Sequence, residues 1–257
     1  MSSTRLPAKV MMSLAGKPLL ARMVERVAMS PFVGKIVVAA TVDPADDPIV
    51  EVCEREGIEV FRGDPQDLLD RHYQAGLEYG ADAVAKIPSD VPLICPNVIT
   101  RVIKYYIDNA NRFDYVSNLH PATYPDGNDV EIMSMDALRQ AWTEAERKFE
   151  REHTTPYLWE NPGRFRIGNV WWEAGLDYSM THRWTIDYEE DYLFIKAVYD
   201  KLYRSNPRFT LYDILRLLDR EPEIREINEK YAGVNWYRHH LDELKTVASD
   251  QTRRIDE

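Results

Sequence analysis

The chain contains two cysteines in 257 residues, Cys53 and Cys95. They cannot make a disulfide framework, and neither H-x-x-x-H nor C-x-x-C zinc spacing occurs. Both read as packing residues suited to a reducing compartment, Cys53 on a helix and Cys95 beside a proline. No apolar run approaches the ~20 residues of a membrane span, and no secretory h-region follows Met1. Basic residues are the minority, 32 against 43 acidic ones for a net charge of -11, which argues against the basic face of a nucleic-acid binder. G-x-S-x-G, the P-loop and G-x-G-x-x-G are all missing, so hydrolase and dehydrogenase readings find no support. What remains is a 44% hydrophobic chain of a length for one large domain with a full core.

The first half alternates two hydrophobic periods. Residues 18–29 carry Leu19, Leu20, Met23, Val24, Val27 and Ala28 at helical spacing. Residues 35–41 form a continuous apolar run, as in a strand covered on both faces. Helices are expected over 47–56, 66–79 and 96–110, and strands over 58–61 and 82–87. This β-α-β-α rhythm predicts a mixed, mainly parallel sheet with helices on both faces, an α/β fold of three layers. Strands are further expected at 115–118, 165–171 and 182–186, and an edge strand at 129–134. Helices are expected at 136–146, 188–202, 211–219 and 222–230. The reading divides the chain into an α/β domain over 1–205 and a helical extension over 206–257.

Local cations stand out in the acidic chain. Ser3-Thr4-Arg5-Leu6-Pro7-Ala8-Lys9 runs into Leu14-Ala15-Gly16-Lys17-Pro18, a polar basic loop leading into a helix. A triphosphate site needs fixed positive charge and backbone donors in such a loop. Asp90 follows an apolar strand and precedes a proline-bounded turn, which places it at the carboxyl end of the sheet, where open α/β folds bind ligands. Asp187 ends a second strand.

The opening loop, together with Ile87-Pro88-Ser89-Asp90-Val91-Pro92, Tyr124-Pro125-Asp126-Gly127-Asn128-Asp129-Val130-Glu131, Arg151-Glu152-His153-Thr154-Thr155 and Arg183-Trp184-Thr185-Ile186-Asp187, resembles the cytidylyltransferases that make CMP-activated sugars. The branch is the one named for spore-coat polysaccharide biosynthesis protein F. The resemblance covers roughly the whole chain, residues 209–228 matching that branch's helical extension. It implies a Rossmann-like, GT-A-like nucleotidyltransferase fold. It also implies transfer of CMP from CTP to an acidic sugar, with release of pyrophosphate, in surface polysaccharide biosynthesis. The expected cofactor is Mg2+ and the partners are the nucleotide and the acidic sugar, without nucleic acid or membrane. A homodimer is left open, and the expected location is the cytoplasm.

The roles carried over follow the matching positions. Asp90 and Asp187 are the expected metal ligands and, with Lys9, the catalytic set. Ser3, Arg5, Lys9, Lys17, Arg71 and Ser89 are expected around the nucleotide, Asp129 and Glu131 near the sugar. Each has a plain structural rival: a turn cap for Asp90, a helix N-cap with Glu190 for Asp187, a solvated loop for Arg5 and Lys9. Lys17 stands at a helix start, where a cation opposes the dipole. Arg71 projects off its helix's apolar stripe and has Asp67 at i-4 as a surface partner. Asp129 and Glu131 alternate with Val130 and Ile132, so both are expected to point away from the buried face. For His153 with Glu152, a helix-start contact is preferred over an acid-base pair.

Departures from the pattern bear on activity. Pro88-Ser89 replaces the usual Thr-Gly, and Ala8 replaces a glycine. The family's first strand would precede the opening loop, so the sheet is expected to be interrupted beside 35–41. The alternatives are a nucleotide-sugar-dependent glycosyltransferase of related fold, disfavoured because Asp90-Val91-Pro92 stands where Asp-x-Asp belongs, and a catalytically degraded paralogue.

Overall fold

The computed structural model describes residues 5–255, so Ser3 lies outside the described residues. After a short 3-10 turn at Lys9–Met11, β1 (Ser13–Leu14) pairs with β2 (Lys17–Pro18). The linking Ala15 and Gly16 both have positive φ, 45° and 82°, which suits a two-residue hairpin turn. Then come α1 (Leu19–Val27), β3 (Val37–Thr41), α2 (Asp47–Glu56), β4 (Glu59–Gly63), α3 (Leu68–Glu78), β5 (Ala83–Lys86) and α4 (Pro96–Asp108). Gly57 ends α2 at φ 68°, and Pro96 opens α4, where a missing N–H costs nothing.

The second half contains β6 (Tyr115–Ser117), β7 (Glu131–Ser134), α5 (Met135–Glu144), α6 (Lys148–His153), α7 (Pro156–Trp159) and β8 (Ile167–Asn169). The long α8 (Glu189–Leu202), α9 (Leu211–Arg220) and α10 (Pro222–Glu226) complete the regular structure. The last two pack into the same core as α1 and α4: Leu211, Ile214 and Leu217 join Leu19, Ile99 and Val102.

β3 pairs in parallel with β4. A separate four-stranded sheet has the order β5-β7-β6-β8, with β7 antiparallel to both neighbours and β6 parallel to β8. The segment expected as an edge strand is therefore interior. Its two faces meet two cores, Ile132 in the one with α4 and Met133 in the one with α5 and α7. With both faces covered, alternation no longer sorts residues into inside and outside. Glu131, expected to face solvent, is 2% exposed for this reason.

Two other strands differ from expectation. The 165–171 strand shortens to β8, and Trp171 is exposed. Residues 182–186 join no ladder. Their backbone instead ties two loops together, through Asp126 N–H to His182 O (2.9 Å), Trp184 N–H to Asp126 O (2.8 Å) and Ile186 N–H to Asp90 O (2.9 Å).

The interruption beside 35–41 is present. Among the described residues no ladder joins β3–β4 to the four-stranded sheet. β3 and β5 instead line one cleft of about 1470 Å³, together with Leu20 and Met23 of α1 and Arg71 and Ala75 of α3. The cleft continues to the ends of these strands, past Lys9, Asp90 and Asp187.

Candidate active site

Ala8 has φ 56°, a left-handed conformation that costs a non-glycine residue about 1–2 kcal/mol. It turns the chain so that Lys9 enters the cleft. Asp90 comes from the loop after β5. That loop is fixed to the 185–186 segment, because the Asp90 carbonyl accepts from both Ile186 N–H and Thr185 Oγ1. Asp187 immediately precedes α8. These three side chains converge. Lys9 Nζ donates to Asp90 Oδ2 at 2.9 Å, to Asp187 Oδ1 at 3.1 Å and to the Ile186 carbonyl at 2.5 Å. Arg5 reaches the same Asp187 oxygen at 3.3 Å, its guanidinium 5.4 Å from the Tyr188 ring centre.

Burial alone would raise the Asp187 carboxyl. Lys9, Arg183 and Arg5 outweigh it and hold the group well below the usual carboxylate range. Burial likewise works against the Lys9 charge, and Asp90 and Asp187 reverse the balance, so its pKa is raised. Asp187 is not the helix cap. The cap position is Tyr188, and Asp191 in the first turn reaches back to it, its Oδ2 accepting from the N–H groups of Asp187 (2.9 Å) and Tyr188 (3.0 Å). The Asp187 carboxylate is thereby left free for cations.

The support behind Asp187 was not assigned from the sequence. Arg183, 3% exposed, donates from Nε to Asp191 Oδ1 (2.9 Å), from Nη2 to Asp187 Oδ2 (3.0 Å) and from Nη1 to the Val234 carbonyl (2.5 Å). Asn228 adds a bond to Asp191 and one to the Arg183 carbonyl. A buried charge needs such partners. The available signal was Asp191 itself, an acid in the first turn of a predicted helix with an arginine eight residues before it.

The sugar-side residues lie farther along the cleft. Glu131 accepts from Lys86 (2.6 Å) and Tyr115 (2.6 Å). Burial would raise its pKa, but the Lys86 charge and these bonds bring it down. Half-buried Asp129 is pushed up to about 6, first by burial and then by Glu131 and Asp90. Asp126 is raised well above its ordinary value by burial and the Asp129 charge. His153 forms no acid-base pair with Glu152; its carbonyl accepts from the N–H of Thr155, the residue that caps the start of α7 (2.9 Å). His153 ends α6 and stacks on Trp236, ring centres 3.8 Å apart.

Arg71 lines the cleft and donates to the Ala39 carbonyl at 2.9 Å. Its Nε is buried without a partner. The expected surface pair with Asp67 does not form, because Asp67 is taken by Arg151. Ser89 is exposed on the cleft wall. Lys17 is not brought to the site. It stands in β2 just before the Pro18 cap of α1, as expected, but Glu56 (2.6 Å) and Glu25 (3.1 Å) hold it away from the cleft lining.

One oxygen of Asp90 and one of Asp187 face the same cation position, which the Lys9 ammonium occupies. Among the described residues no group of three or more His, Cys, Asp or Glu could hold a metal. A pair of carboxylates fits Mg2+, which takes one or two such ligands and completes its shell with water and phosphate.

The split α/β sheet thus holds a cation-lined cleft, with the Asp90 carboxylate after β5 and the Asp187 carboxylate before α8 meeting on one ammonium. The family model for cytidylyltransferases matches residues 1–221, and the chain belongs to that family. It is 31% identical to the spore coat polysaccharide biosynthesis protein SpsF of Bacillus subtilis, over 87% of this chain and 92% of that one. It is 35% identical to an uncharacterized protein of Methanocaldococcus jannaschii, over 88% and 90%. A cytidylyltransferase structure from Leptospira borgpetersenii superposes with a TM-score of 0.82 at 30% identity, covering 88% of this chain and 92% of that one. The fold is the Rossmann-like nucleotidyltransferase fold, and the activity class is CMP transfer from CTP. No helix among the described residues is long and apolar enough to cross a membrane.

Proposed function

We propose that the protein transfers CMP from CTP to an acidic sugar for polysaccharide synthesis in the cytoplasm, with Mg2+ held by Asp90 and Asp187. A sugar hydroxyl loses its proton and attacks the α-phosphorus, the bond to the β-phosphate oxygen breaks, and pyrophosphate departs with the electron pair. The bound ion would supply charge neutralisation on the phosphoryl oxygens. Lys9 and Arg5 add fixed cations where negative charge develops, the main source of rate in phosphoryl transfer. Arg71, with an orphan buried donor, and Ser89 are assigned to the nucleotide. Asp129 and Glu131 are assigned to the sugar, and the Lys86 ammonium beside Glu131 is the cation nearest that end. The observation that carries the reading is the convergence of Asp90 and Asp187 on one cation at the mouth of the cleft.

The test is pyrophosphate release from CTP and Mg2+ over a panel of acidic and neutral sugars. Turnover is expected with an acidic member. Asp90→Asn should lower it by roughly 100-fold or more with an unchanged thermal midpoint. Turnover with neutral sugars alone would refute the acidic acceptor, and an active Asp90→Asn would refute the metal seat.

A further inference from the structure

We infer that Lys9 is an exchangeable counter-cation: its ammonium holds the place between Asp90 and Asp187 that a divalent ion takes, and moves to the nucleotide phosphates when the ion enters. This rests on the metal seat proposed above and extends it to a coupling between ion and nucleotide.

Three observations carry the inference. The Lys9 ammonium spends all three of its donors on this position, on Asp90, Asp187 and the Ile186 carbonyl. A divalent ion ligated by the same two carboxylates would stand within a few ångströms of that nitrogen, and two cations at that separation repel strongly. One of them must leave. The second observation is asymmetry of attachment. Asp187 keeps its orientation through Arg183, which is buried and locked to Asp191 and the Val234 carbonyl. The side-chain hydrogen bonds of Lys9 are all made by its ammonium, and a four-carbon stem carrying a compact charge has the rotatable bonds to redirect it. The third is location. Lys9 and Arg5 line the same cleft as Arg71 and Ser89, so a displaced ammonium has the nucleotide side open to it.

The consequence is reciprocal coupling. Without nucleotide, Lys9 competes with the metal and weakens its binding. With nucleotide, the released ammonium gains a phosphate partner, so CTP tightens the metal and the metal tightens CTP by the same factor. Before either arrives, the ammonium spares the two carboxylates from facing each other uncompensated.

The experiment measures Mn2+ affinity by electron paramagnetic resonance and calorimetry, with and without a non-hydrolysable CTP analogue, on the full chain. Lys9→Met should bind Mn2+ roughly 10-fold tighter than wild type without nucleotide. It should also lose most of the tightening that the analogue produces in wild type. Lys9→Gln, which keeps a donor and removes the charge, should behave like Lys9→Met and guards against a packing effect. Mn2+ binding that is equal or weaker in both variants without nucleotide overturns the exchange. Asp90→Asn separates the two readings: if it binds Mn2+ as wild type does, the metal seat itself is wrong. If it loses Mn2+ while Lys9→Met gains nothing, only the exchange is wrong.

Discussion

The strand that opens the cleft and the strands inside the four-stranded sheet are made of similar material and end up in different states. Residues 36–40 are Ile-Val-Val-Ala-Ala, as apolar as any strand in the chain, yet only Ala40 of β3 is buried. β5, across the cleft, is no more buried, whereas behind it β6 is buried throughout and β7 nearly so. The difference is the neighbour. β6 and β7 have ladders on both sides and helices above and below, whereas β3 pairs with β4 alone. Strand burial is thus a property of the assembly, not of the segment. The site draws on both kinds of region: Lys9 enters the cleft on a loop, and Asp187 rests on the buried Arg183–Asp191–Asn228 network.

The comparison can be broken at its strongest point first. Arg183→Met strands a fully buried Asp191 and should cost about 3–5 kcal/mol in urea unfolding. Arg71→Met, in the cleft lining, loses a single bond to the Ala39 carbonyl and should cost about 1 kcal/mol. Equal losses would erase the distinction between the two regions.

Hydrogen exchange sharpens it next. The fastest amides of 37–41 and 83–86 should exchange roughly 100-fold faster than any amide of 115–117 or 131–133, since unladdered edges open without global unfolding. Mass spectrometry of peptic fragments would show uniform protection if the two sheets behave as one.

Proton linkage probes the same burial through pH. Burial depresses His72 and His120 to about 4 and His153 to about 3, against an ordinary value near 6.5. The unfolded chain therefore takes up protons first as pH falls. The stability contribution of these rings is complete above about pH 6.5 and declines toward pH 4, by about 3 kcal/mol for each histidine. Urea midpoints at neutral and mildly acid pH would measure it. A flat profile would mean these three rings are as wet as surface groups.

Much of this was legible in the sequence because it is local. Helix periodicity fixed most helices within a few residues, and Asp90 could be placed at a strand end from the strand and proline around it. What escaped was long-range. Glu131 was assigned to solvent by alternation, which fails when two cores flank one strand. Arg71 was paired with Asp67 by i-4 spacing, but Arg151, eighty residues on, takes that partner. The 182–186 run has a strand's composition and serves as a tie between two loops. For Arg183 only the Asp191 partner, eight residues on, left a local signal; Asn228 and Val234 lie some fifty residues away and share no short motif with it.

The split sheet also has a mechanical meaning. A hydrogen-bonded ladder resists deformation in its own plane, and continuous sheets are stiff for that reason. Here the span between β3 and β5 crosses no ladder, so the width of the cleft is governed by the packing of α1 and α3 along its walls. A nucleotide reaching from Lys9 and Arg5 toward Arg71 would act as a strut across it, setting the spacing that the backbone alone does not.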